Sequence, residues 1–81
     1  MKSTKYLAEM TDVINDEPNY AWSKRVVFEA PVGAANATIV RRAKKALEVT
    51  DNHYTIDYGE EIRLDLAGKN VCILITPRVT P

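Results

Sequence analysis

The apolar positions of this chain change period along its length. Over residues 4–15, Tyr6, Leu7, Met10, Val13 and Ile14 fall at offsets of 0, 1, 4, 7 and 8. That is the stripe of an amphipathic helix, with Ser3 as its cap and Pro18 as its stop. One conflict accompanies the prediction: Lys2 and Lys5 lie near the start and Asp12, Asp16 and Glu17 near the end, the reverse of what a helix dipole favours.

Residues 23–30, SKRVVFEA, centre on the β-branched and aromatic run Val26, Val27, Phe28 and read as a strand closed by Pro31. An irregular NYAW segment with Tyr20 and Trp22 leads into it, and the loop PVGAAN delivers Asn36 as a helix cap. The next helix, residues 37–49, is the clearest in the chain. Ile39, Val40, Ala43, Ala46 and Leu47 fall within roughly 120° of arc, and Arg41, Arg42, Lys44 and Lys45 share the opposite face. Asp51 and Asn52 mark its exit.

From 53 to 76 the period becomes two. Tyr54, Ile56 and Tyr58 alternate with His53, Thr55 and Asp57, and Ile62, Leu64 and Leu66 alternate with Glu61, Arg63 and Asp65. Two half-exposed strands joined near Gly59 follow from this pattern. The last strand, 70–76, is apolar on both faces and is expected at the centre of the sheet or covered on both sides. The order α, β, α, β, β, β predicts an α+β fold: an antiparallel-rich sheet of about four strands, an amphipathic helix packed on it and a second, N-terminal helix.

At 81 residues there is room for one small domain. Hydrophobic residues at 46% and charged residues at 27% favour a folded chain over a disordered one. Lys plus Arg and Asp plus Glu both number 11, so the chain lacks the surplus of base expected of a dedicated nucleic-acid binder. The longest apolar run, VCILI at 71–75, is far short of a membrane span, and the start lacks a run of signal-peptide length. With a single cysteine, Cys72, these features predict a soluble cytoplasmic protein without an internal disulfide.

Candidate chemistry is sparse. The basic run at 39–48 suits phosphate contacts, with Asn36 and Thr38 before it and Lys24, Arg25, Lys69 and Arg78 as further cations. A charged outer face is also what any helix packed on a sheet requires, and the acidic blocks at 9–17 and 51–65 compete for the same cations. His53 and Cys72 are expected on one side of the sheet, but no third group completes a nucleophilic site. Asp57, Glu60 and Glu61 surround a turn without the ligand order of a calcium loop. Trp22 divides evenly between core and interface anchor, whereas the spacing of Tyr54 and Tyr58 favours the core. No cofactor or metal is implied, and no acid–base pair supports an enzyme.

The segment 34–76, a basic amphipathic helix followed by LEVTDNHYTIDYGEEIRLDLAGKNVCILITP, resembles the C-terminal part of small accessory proteins encoded by tailed phages. The resemblance covers about half the chain and lies in structural residues. It implies a context, a non-enzymatic binder that inhibits or redirects a host protein in the host cytoplasm, and transfers no active site.

The sequence therefore predicts a small protein-binding module, monomeric or homodimeric, with a host protein such as a nuclease or defence complex as partner. The residues proposed for contact are Arg41, Arg42, Lys44, Lys45, Trp22, Asp57, Glu60 and Glu61. The alternative is a nucleic-acid-binding regulator acting through the basic face of 36–45.

Overall fold

The computed structural model describes residues 2–59 and 61–77. The element order is β1 (Ser3–Ile14), β2 (Glu17–Pro31), α1 (Asn36–Leu47), β3 (His53–Asp57), β4 (Ile62–Leu66) and β5 (Val71–Pro77). The strands form a five-stranded sheet in the order β2-β1-β5-β4-β3, antiparallel at every junction. The fold is α+β, with one helix among the described residues.

The N-terminal helix expected at 4–15 is instead β1, which also raises the strand number from about four to five. Its apolar residues occupy both faces of a strand, so they imitate a helical stripe. Tyr6, Ala8 and Met10 face the core, and Leu7, Glu9 and Thr11 point to the other side of the sheet. Asn15 and Asp16, read as the end of a helix, form the turn to β2 with φ of 54° and 65°. Ile14 pairs with Glu17 across them, so this is the two-residue hairpin loop whose twist matches the strands. Pro18 lies within β2 opposite Val13 and stops no helix.

Further along the hairpin, one residue of β1, Asp12, stands opposite the NYAW segment of β2. The resulting bulge places Tyr20 at φ 59°. Asp12 holds it: Asn19 Nδ2 donates to Oδ2 at 2.8 Å and the Ala21 N–H to Oδ1 at 3.0 Å. These bonds hold the Asp12 carboxyl below its ordinary range, the Asn19 contact most. NYAW is therefore an ordered part of β2.

The helix follows its apolar stripe. Ile39, Val40, Ala43 and Leu47 are buried against Ala8, Phe28, Ala30, Ile62, Leu64, Leu66, Ile73 and Ile75. Its N-cap is Ala35, without a side-chain cap bond, and Asn36 is already helical. Glu48 closes it at φ 60°, with Lys44 and Lys45 in the last turn, where the dipole favours cations. β5 is central, as its two apolar faces require.

Because α1 connects β2 to β3, it crosses the sheet from one edge to the other on a single face. It packs mainly over β2. The β3 side of that face is left open.

Candidate functional site

The opening between α1 and β3 is a groove of about 690 Å³. Ala37, Val40 and Val49 supply its apolar surface, Arg41, Lys44 and Lys45 its cations, and Asn36, Thr50, His53 and Thr55 its polar groups. Side-chain bonds span it at both ends. Asn36 Nδ2 donates to Asp57 Oδ2 at 2.8 Å, while Lys44 Nζ lies 3.0 Å from His53 Nδ1. The helix start is thus tied to the end of β3, and the last helical turn to its beginning.

Lys44 Nζ also donates to the Asp51 carbonyl at 2.6 Å. With an ammonium as donor, His53 Nδ1 accepts and the ring proton sits on Nε2. Burial, and then the Lys44 charge, push the His53 pKa below its ordinary value, which keeps the ring neutral. Asp51 is fixed in turn by Lys69 at 2.9 Å, a bond that lowers its pKa. The groove is therefore built from mutually oriented groups.

The basic residues separate in three dimensions. Arg42 turns toward β2, where Nη1 donates to the Glu29 carbonyl at 3.0 Å. Lys44 is engaged as described. The ion pairs among the described residues are Arg25–Glu9, Arg63–Asp65 and Lys69–Asp51, so Arg41 and Lys45 form none. Lys24 donates to the Leu47 carbonyl, and Arg25 points to the opposite face of the sheet. Glu60 and Arg78 lie outside the described residues.

Of the acidic group, Asp57 is occupied internally, since the Gly59 N–H donates to Oδ1 at 2.7 Å in addition to the Asn36 bond. Gly59 takes φ 91°, a left-handed value that explains a glycine there. Glu61 is half-buried beside the turn, where its carbonyl accepts from Tyr58. Trp22 is 45% exposed and borders a separate hollow with Met10, Leu47 and Lys69. The structure brings Arg41, Lys44 and Lys45 together, places Asp57 at the end of the same groove, and leaves Trp22 apart.

Two expectations about β3 are corrected. Tyr54 and Tyr58 are exposed rather than in the core. Pairing with β4 sets this, because His53 and Thr55 stand opposite Leu66 and Leu64, whose side chains face the helix. The same register turns Tyr54 and Ile56 outward. His53 and Cys72 consequently lie on opposite faces of the sheet, since Cys72 stands in the row of Thr11 and Asp65. Cys72 is buried, and burial raises its thiol pKa, the condition of an inert thiol.

No family model, curated protein or solved structure matches this chain.

Proposed function

We propose that this chain is a small, non-enzymatic protein-binding module that seats an acidic, partly apolar segment of a partner in the groove between α1 and β3. The observation that carries the reading is the apolar wall of Ala37, Val40 and Val49 rimmed by Arg41, Lys44 and Lys45. Apolar area supplies binding energy, and complementary charge selects the partner and speeds encounter. In the context that the phage-protein resemblance implies, the partner is a host nuclease or defence complex and binding inhibits it.

Selection from a displayed library of short random peptides tests the chemistry. Enriched peptides should combine Asp or Glu with apolar residues and lose binding to Arg41→Glu/Lys45→Glu. Enrichment indifferent to that charge reversal, or none, overturns the groove reading. Pull-down from host lysate tests the partner class: a protein retained after nuclease treatment supports a protein partner, and one released with the nucleic acid favours the regulator alternative.

A further inference from the structure

The two edges of the sheet are not equally protected. On β2, the bond from the Val32 N–H to the Lys2 carbonyl fixes the ladder phase and turns the backbone groups of residues 23, 25, 27, 29 and 31 outward. That edge is blunted. Pro31 has no N–H to offer, Arg42 occupies the Glu29 carbonyl, and the NYAW bulge bends the strand near its start.

On β3, the bonds Tyr58 N–H to Glu61 and Ala67 N–H to Asn52, both 2.8 Å, set the phase in the same way. Even-numbered residues face β4. The N–H and C=O groups of His53, Thr55 and Asp57 point away from the sheet. HYTID has neither proline nor bulge, and its one formal charge is at its end. An edge of that kind is a template for another strand.

We propose that the occupant of this edge is β3 of a second copy, paired antiparallel about a two-fold axis at Thr55, so that two sheets join into one. The strand is complementary to itself in this register. His53 meets Asp57 of the second copy at both ends, Thr55 meets Thr55 at the centre, and Tyr54 meets Ile56 twice. The neutral His53 ring, protonated at Nε2, offers a donor to the Asp57 carboxylate, and the hydroxyl and aromatic to β-branched pairs are among the classes that stabilise cross-strand contacts.

The ladder phase makes 53, 55 and 57 the hydrogen-bonded positions. Tyr54 and Ile56 then fall at the non-bonded positions, where side chains approach more closely. Both are exposed in the single chain and gain cover together. A slip of two residues either way shortens the overlap and removes both His53–Asp57 pairs. Charge favours the centred register further, because Lys44 at His53 adds a cation beside the incoming Asp57. The second copy thereby extends the groove, contributing its own Asp57 to the Lys44 end. This inference stands independently of what the groove binds.

Sedimentation velocity over a wide concentration range should give a monomer–dimer equilibrium. Thr55→Pro removes an N–H that the fold does not use and should weaken the dimer at least about tenfold, with circular dichroism unchanged. Under mild oxidation Thr55→Cys should cross-link to itself, whereas Ser23→Cys on the other edge should not, and buried Cys72 stays unreactive. A mixture of Tyr54→Cys and Ile56→Cys chains should cross-link faster than either alone. A monomer at every concentration leaves the edge to a foreign strand and overturns the proposal. So does cross-linking of Thr55→Cys no faster than Ser23→Cys, and this outcome decides the matter should the proline variant fail to fold.

Discussion

The backbone N–H of Tyr20 donates to the side-chain oxygen of Thr11 at 3.0 Å, and this bond holds an aromatic residue at φ 59°. The Thr11 hydroxyl in turn donates a hydrogen bond to the Trp22 carbonyl at 2.8 Å. Thr11 is fully buried, on the face of the sheet away from the helix. One hydroxyl thus satisfies two backbone groups of the bulge that would otherwise go unpaired. Left-handed φ is unfavourable for a bulky side chain, so the conformation persists because its surroundings fix it.

Thr11→Val keeps the shape and removes both backbone bonds, together with the 3.2 Å contact from the hydroxyl to Asp12 Oδ1. Leaving the Tyr20 N–H and Trp22 C=O without their partner should cost about 1–3 kcal/mol in urea unfolding. Thr11→Ser retains the hydroxyl and should recover most of that loss. A Thr11→Val variant as stable as the native sequence, with the loss confined to Thr11→Ser, would show that the methyl group, not the bonds, matters.

Leu47 closes the apolar stripe of α1 and is 2% exposed among core residues of the sheet. Leu47→Ala should destabilise by about 2–4 kcal/mol through lost burial and the cavity left behind. Ala46→Ser, half-buried one position away, should cost much less, and denaturant midpoints of the two compare them directly.

The stripe of α1 was legible because Ile39, Val40, Ala43 and Leu47 recur at helical spacing with cations opposite. β1 was not, because Tyr6, Leu7, Met10, Val13 and Ile14 supply apolar residues to both faces of a strand in an order that also fits a helix. The deciding signal was Asn15-Asp16, a pair suited to a two-residue hairpin turn. The alternation in β3 was legible, but not which half faces inward. Tyr54 and Ile56 are the more apolar half, yet the register with Leu64 and Leu66 turns them out. The groove left no local trace at all. It exists because α1 settles over β2, a tertiary outcome that joins Lys44 to His53 and Asn36 to Asp57.

His53 is the only histidine of the chain, and its pKa in the fold lies below the ordinary 6.5. In a window below that value the unfolded chain binds a proton that the folded one refuses. Stability is therefore fully present above pH 6.5 and declines as pH falls toward the folded value. Protonation also ends the acceptance of Lys44 by Nδ1. The carboxyls of Asp12 and Asp51 are lowered from 3.8 and titrate below this window. Urea midpoints should fall between pH about 7 and about 5 in the native sequence, and the fall should be smaller in His53→Gln. An identical pH profile in the variant would remove His53 as the cause.

The run IVRRAKKALE poses the sharpest choice between functions, and the structure changes its arithmetic. If all four cations neutralised duplex phosphates, affinity would fall with salt at a log–log slope of about −3.6. Arg42 is turned to the Glu29 carbonyl and Lys44 is held by Asp51 and His53. Only Arg41 and Lys45 of the four lack a hydrogen bond or ion pair among the described residues, and these two alone contribute about −1.8. Titration of labelled duplex and single-stranded DNA and RNA at about 50 mM salt, where electrostatic binding is favoured, should give binding weaker than micromolar and a slope no steeper than that. The regulator reading gains only from a combined result: micromolar or tighter binding, a slope near −3.6, and loss of both in Arg41→Glu/Lys45→Glu with the fold intact. That result would bring Arg42 and Lys44 to phosphate as well, and the protein-binding reading would give way.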